Sequence, residues 1–330
     1  MKKLFVAILI VIIAAAAVFT FAACNNEKGS IKIIVPDGAP ALAIAKMLKD
    51  KPQFDKYEIT YEIVPGAAEI SAKIANGEAD FAIAPTNIAA NIYNKGTDIR
   101  IISANTFGNL YLVGTESVSD LSDLKGEVVY NIGMGGTPDL TFKYILNQMG
   151  IEYFASDVAD ETGAKVALHY VSSGAELIPL LKTGNAKFGI LGEPAVSQAL
   201  KNVSGSIRLF AIHDLWGADV TEGLDYTQAV FVGRKDAIDK YEGIVEWLSD
   251  LLDENVDWIA ANPAEAQAAL ADAGSTLTVA LNKQIIRACN IGFVPAKYAK
   301  SDINAYLTAM ASFNAAAIGG KMPEDTIYYQ

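Results

Sequence analysis

Arginine is scarce in this 330-residue chain: there are four, at positions 100, 208, 234 and 287. Histidine and cysteine are scarcer still, with His169, His213, Cys24 and Cys289 as the full set. Two cysteines cannot frame a disulfide scaffold, and neither histidine has a Cys or second His at metal-ligand spacing. No G-x-S-x-G elbow and no phosphate-binding P-loop occurs. Gly133-Met134-Gly135-Gly136 lacks the third glycine of a dinucleotide fingerprint. Positive charge is short overall, with 26 Lys plus Arg against 38 Asp plus Glu, a formal charge of -12. Such a surface repels a nucleic-acid backbone. Catalytic residues, metals, cofactors and nucleic-acid partners are therefore not expected.

The length exceeds what one hydrophobic core usually organises, so two lobes are the starting expectation. Before them comes a segment outside the fold. Lys2 and Lys3 precede an uncharged run from Leu4 to Ala23, ending Phe21-Ala22-Ala23-Cys24. A basic start, an apolar stretch and small residues before a break describe a secretory signal. A permanent N-terminal membrane helix is the alternative, since about twenty apolar residues span a bilayer. Polar residues from Asn25 to Ser30 follow Cys24 and favour cleavage, the pattern resembling a bacterial lipobox whose cysteine is lipidated. Loss of Lys2 and Lys3 would make the chain two units more negative. Cys289 would then stand alone, in a helical context where a small buried thiol is the usual outcome.

The body alternates strands and helices, in two similar halves. Ile31 to Val35 reads as a strand, broken by Pro36-Asp37-Gly38-Ala39-Pro40 before a helix through Met47 and Leu48. Tyr57 to Val64 alternates as a strand, Ala67 to Ala75 is a helix closed by Gly77, and Asp80 to Ala84 is a strand. Lys165 to Val171, Gly174 to Leu181, Gly184 and Lys187 to Leu191 repeat that order. Aligned at Glu69 and Glu176, the halves match at Gly77 and Gly184, Ala79 and Ala186, Phe81 and Phe188, and Ile83 and Ile190. Pro179 falls inside the second helix, where it should kink the helix or shift its start. From Asp236 onward helical spacing dominates, and Trp247 and Trp258 read as core. The fold class expected is α/β, with two similar lobes, each a mostly parallel sheet flanked by helices, joined by a two-stranded hinge.

In this order the motifs resemble the solute-binding proteins of bacterial ABC importers. The group is that serving nitrate, sulfonate, taurine and thiamine-precursor uptake, with the type II periplasmic-binding-protein fold. The resemblance rests on the lipobox, Ile31 to Pro40, Asn76-Gly77-Glu78-Ala79-Asp80-Phe81, Asp123-Leu124-Lys125-Gly126, Gly133 to Pro138, and the return crossing Tyr226 to Val232. It implies a signal peptide over 1–23, a tether over 24–30, lobe one over 31–113 and 229–330, and lobe two over 114–228. It also implies a lipid anchor at Cys24, a position outside the cytoplasmic membrane, ABC permease partners, and a monomer that carries a small solute without converting it. An enzyme on the same fold is the rival reading, because a fold does not decide function.

Ligands of open α/β sheets sit beyond the carboxyl ends of strands. In lobe one those loops are Pro36 to Pro40, Pro65 to Ala68, Ala84 to Asn87 and Asn105 to Asn109. In lobe two they are Gly133 to Asp139, Ser172 to Ala175, Gly192 to Pro194 and Asp214 to Gly217. Thr137 and Pro138 suit an N-cap and first helical residue, which either aims N–H donors at the cleft or merely starts a helix. The candidate ligand-binding set is Asp37, Gly38, Ala39, Thr86, Asn87, Phe107, Gly135, Gly136, Thr137, Ser173, Glu193, Trp216, Tyr226 and Gln228. Arg100 and Arg208 open strands, the wrong end for the cleft. With no arginine on these loops, the carboxylates Asp37, Asp139, Glu193 and Asp214 and nearby rings favour a nitrogen heterocycle, such as a thiamine-precursor pyrimidine. A sulfonate- or nitrate-type anion held by backbone donors stays open as the alternative. On this reading Trp216→Ala weakens binding and leaves the thermal transition nearly unchanged.

Overall fold

The computed structural model describes residues 29–217 and 226–330. The expected signal peptide, Cys24 and most of the expected tether lie outside the described residues. Among the described residues, thirteen strands form two sheets. The first has the order β13-β5-β12-β4-β1-β3-β2, made of Ile291–Pro295, Ile99–Phe107, Thr227–Arg234, Phe81–Pro85, Ser30–Pro36, Tyr57–Val64 and Gln53–Phe54. The second has the order β11-β6-β10-β7-β9-β8, made of Ile207–Ala211, Leu110–Gly114, Phe188–Gly192, Val128–Ile132, Val166–Val171 and Tyr153–Ala155.

The two sheets are built alike. In each, three parallel strands (β3-β1-β4 and β9-β7-β10) are followed by an antiparallel one, β12 or β6, and then by β5 or β11. Each lobe is therefore a mixed sheet whose antiparallel strand has just crossed from the other lobe. The crossings run side by side, because Thr227 of β12 is paired with Phe107 of β5. The chain changes sheet between Phe107 and Leu110, a few residues before the expected 113/114 boundary, since all of β6 pairs in the second sheet. On the return, Thr227 already pairs in the first sheet, just ahead of the expected 228/229 boundary.

The sequence repeat has a structural counterpart. Helices α3 (Ala67–Ala75) and α6 (Gly174–Thr183) occupy the same place after β3 and β9, with Glu69 and Glu176 both in the first turn. Gly77 and Gly184 follow them at φ of 74° and 75°, left-handed values that cost other residues a clash at Cβ. Pro179 sits within α6 without ending it. Its ring removes one helical N–H, and the helix still buries Leu177, Ile178 and Leu181.

The remaining helices are α1 (Ala39–Leu42), α2 (Ala45–Asp50), α4 (Thr86–Asn94), α5 (Thr137–Gln148), α7 (Ala195–Asn202), α8 (Ile212–Gly217), α9 (Lys235–Lys240), α10 (Ile244–Ala261), α11 (Pro263–Asp272), α12 (Lys283–Ala288) and α13 (Ala296–Asn314). One apolar cluster covers the outer face of the first sheet with α1, α2, α10 and α11, and includes Leu248, Leu252 and buried Cys289. Trp247 and Trp258 pack against it, as the helical spacing anticipates. Burial pushes the Cys289 thiol well above its usual range, which suits a packing residue. Another cluster joins the lobes, drawing Ile34 and Ile101 from the first sheet, Leu112 and Ile190 from the second, and Tyr306 and Met310 from α13. None of the described helices is long and apolar enough to cross a membrane.

Candidate functional site: the cleft between the lobes

The carboxyl ends of β1, β3, β4, β7, β9 and β10 face one another across a cavity of about 160 Å³. Every expected loop contributes to its lining except Asp214 to Gly217, with Gln228 and Ala229 of the return crossing added. A void of that size in a protein interior holds a guest of about one benzene ring.

Besides the one-turn α1, five longer helices begin at this cavity: α3, α4, α5, α6 and α7, whose first residues or N-caps line it at Gly66, Pro85, Thr137, Gly174 and Ala195. The first turn of α7 is capped by Glu193, which accepts from Ser197 N, and the other four have no side-chain cap. Their unbonded N–H groups and positive dipole ends converge on the same space. The N-cap of α5 is Gly136, with Thr137 and Pro138 as its first two residues, so the helix starts one position earlier than the sequence suggested. Gly135, at φ 75°, turns the loop so that its own N–H donates to Asp139 Oδ2 at 2.8 Å.

Among the described residues, Asp37 and Glu193 are the only ionisable ones lining the cavity, and both are committed elsewhere. Asp37 Oδ1 accepts from Gly38 N at 2.9 Å and Ser275 Oγ at 2.6 Å. Its Oδ2 accepts from Thr276 N and Oγ1 at 2.9 and 2.6 Å. Glu193 is 2% exposed. It accepts from Ser197 N at 3.0 Å and Ser197 Oγ at 3.1 Å, and pairs with Arg208. Burial pushes its carboxyl up, against the pull of Ser197 and Arg208. Asp139 is equally buried, held by Gly135 N, Lys143 Nζ at 2.9 Å and Tyr170 OH at 3.1 Å. Asp214 is exposed on α8, away from the cavity. Each carboxylate thus shapes a loop or lies outside.

The expected rings are also elsewhere, and no aromatic side chain lines the cavity among the described residues. Trp216 is fully buried, with its ring 4.9 Å from Tyr144, 5.3 Å from Tyr226 and 5.4 Å from Tyr306. Its place in that cluster corrects the reading of Trp216 and Tyr226 as ligand contacts: large rings at a lobe junction gain more from mutual burial than from facing a wet cleft. Phe107 lies against Gly292 at the crossing.

Other candidates hold the crossing segments in place or, in the case of Asn87, tie the lobes together. Thr86 Oγ1 donates to Thr227 O at 2.6 Å. Asn87 Nδ2 donates to Gly135 O at 3.1 Å and its Oδ1 accepts from Thr137 Oγ1 at 3.3 Å. Gln228 Nε2 donates to Asn109 Oδ1 at 3.0 Å. Gly38, Ala39, Gly136, Thr137, Ser173, Glu193 and Gln228 are the expected residues, with Asp37, that reach the cavity wall.

Arg208 departs from expectation. Although it opens β11, its guanidinium lies 4.3 Å from the centre of the Tyr111 ring and reaches Glu193 at the cleft edge. Leu110 and Ile132 also line the cavity and lie outside the loops expected from the sequence. Their only signal was their place beside a strand end. Gln198 has none, because it sits inside α7 and reaches across the mouth of the cleft.

No protein-family model matches the chain, and no curated protein matches it. Solved structures do. An ABC transporter protein from Parabacteroides distasonis superposes with a TM-score of 0.74 at 24% identity, over 91% of this chain and 99% of that one. The periplasmic aliphatic sulphonate binding protein SsuA from Escherichia coli gives 0.65 at 15%, over 91% and 92%. A zinc-bound ligand-binding component of an ABC-type import system from Staphylococcus aureus gives 0.67 at 12%, over 91% and 96%. The fold of this chain is that of ABC-importer binding proteins: two lobes of mixed sheet and flanking helices with a cleft between.

Proposed function

We propose that the protein captures a small solute in the interlobe cleft and hands it to an ABC importer, without converting it. The observation that carries this is the convergence of four uncapped helix N-termini on a cavity formed by both lobes. A guest touching both lobes favours the closed arrangement by its differential affinity, and the paired crossings at Phe107 and Thr227 are the place where the backbone would flex. Lobe boundaries at the crossings near 108 and 227, a monomeric state, an extracytoplasmic position and the lipid anchor at Cys24 belong to the same reading. The likeness to importer components supports it.

The solute class follows from what the wall offers. Among the described residues, helix N-termini border the space and no free carboxylate or ring does, so the nitrogen heterocycle loses the groups on which it rested. A compact anion rich in acceptor oxygens, such as a small sulfonate, fits better: helix N-termini stabilise negative charge and need no arginine.

Native mass spectrometry of protein taken from its host tests this, followed by calorimetry with ethanesulfonate and with an aminopyrimidine. Retention of a small anion and micromolar binding of ethanesulfonate are expected, with no new product. A retained aminopyrimidine would return the reading to the heterocycle, and a time-dependent mass change would make the protein an enzyme.

A further inference from the structure

Beside the inner cavity lies a second chamber of about 130 Å³, which shares Asp37, Ser173 and Ala195 with it as wall residues. Ile63 and Ile178 form apolar sides, and its outer wall is Gly274 to Leu277, irregular chain between α11 and α12. The first lobe holds the root of that wall, through Asp37 and the Ser275 and Thr276 side chains. The far end crosses to the second lobe, where Thr278 N donates to Gln198 Oε1 at 2.8 Å. Gln198 lies on α7, is 9% exposed, and is remote from the paired crossings that join the sheets. The bond is therefore a separate interlobe link at the mouth of the cleft, and the chain carrying it ends the space open to a guest.

Resting on the solute-binding reading, we infer that Gln198, acting through the Thr278 amide, fixes the outer wall of the cleft and so limits the length of solute the two lobes enclose. It is a positioning residue: the acceptor oxygen holds the chain, and the chain meets the solute. A solute short enough for the inner cavity leaves the link intact. A longer one fills the outer chamber and must displace residues 275–278.

The test compares wild-type protein with Gln198→Met, which keeps length and apolar fill but removes a strong acceptor, and with Gln198→Glu, which keeps the acceptor. Ethanesulfonate and hexanesulfonate are the probes. Wild type and Gln198→Glu should favour the shorter chain, and in Gln198→Met that preference should fall about fivefold, the worth of one ordinary hydrogen bond. Exchange of the Thr278 amide, measured with no solute present, should quicken by a similar factor in Gln198→Met and not in Gln198→Glu. Equal preferences in the two variants, or a wild type that takes both chains alike, would overturn the length limit. Equal exchange in all three proteins would overturn the link itself. If neither sulfonate binds wild type, the anion reading falls, while the exchange rates still decide whether Gln198 holds the wall.

Discussion

Trp216→Ala should lower the thermal transition by roughly 6 °C, because emptying a fully buried indole site costs about 3–5 kcal/mol and a chain of this length melts with a large entropy. The indole packs against Tyr144 of α5, Tyr226 before the return crossing and Tyr306 of α13. Removing it leaves three phenol rings around a void that close packing cannot readily fill. Differential scanning calorimetry checks the shift, and ethanesulfonate calorimetry on the same variant should show affinity within a few-fold of wild type at a temperature well below the transition. A variant that melts normally and fails to bind would put Trp216 back in the cleft.

Arg208→Met should destabilise the protein in a pH-dependent way. It strips Glu193, a buried carboxylate, of its counter-ion. Arg208 is itself about one-third exposed, so screening reduces the loss to about 2 kcal/mol, below that of a fully buried pair. The sign follows from Glu193. Its folded carboxyl is already held above the ordinary carboxylate value by burial, with Arg208 opposing. Without Arg208 it rises further. Between the unfolded and folded values the native state binds more protons, so stability falls as pH climbs. The variant should therefore approach wild-type stability near pH 4.5 and lose ground steadily above it. Urea melts at pH 4.5, 6 and 8 measure this, and a deficit that does not vary with pH would mean that Glu193 is not the group left unpaired.

Much of the framework could be read from local signals, because they are strong where strands end. Tyr57 to Val64 and Ala67 to Ala75 have the bounds expected, marked by Pro65-Gly66 and Gly77. Those breaks also place the cleft loops, since a parallel strand must deliver its loop to the carboxyl edge. The helix after β1 was read as one and is two, interrupted at Ala43 and Ile44. Strand β13 was hidden inside a stretch dominated by helical spacing. Tyr111-Leu112-Val113 reads as a strand whichever sheet it joins, so the crossing point could not be placed closely.

Side-chain roles were harder to foresee. Whether Asp37 is free to meet a solute depends on Ser275 and Thr276, more than two hundred residues away in sequence. Whether Arg208 reaches the cleft depends on its lying across Tyr111. Residue type and spacing describe what a group could do. Only the packed neighbours decide what remains unspent.

The placement of β12 between β4 and β5 bears on biosynthesis. Until the ribosome has finished the whole second half-sheet, the first one is missing a central rung, and both flanking strands present bare backbone edges to whatever is nearby. The nascent amino-terminal half is thus unable to complete itself early, which exposes it to edge-to-edge aggregation and keeps it loosely assembled until residues 227–234 emerge. Permutations or truncations that separate this rung from its slot should fail for that reason, whatever they do to the cleft.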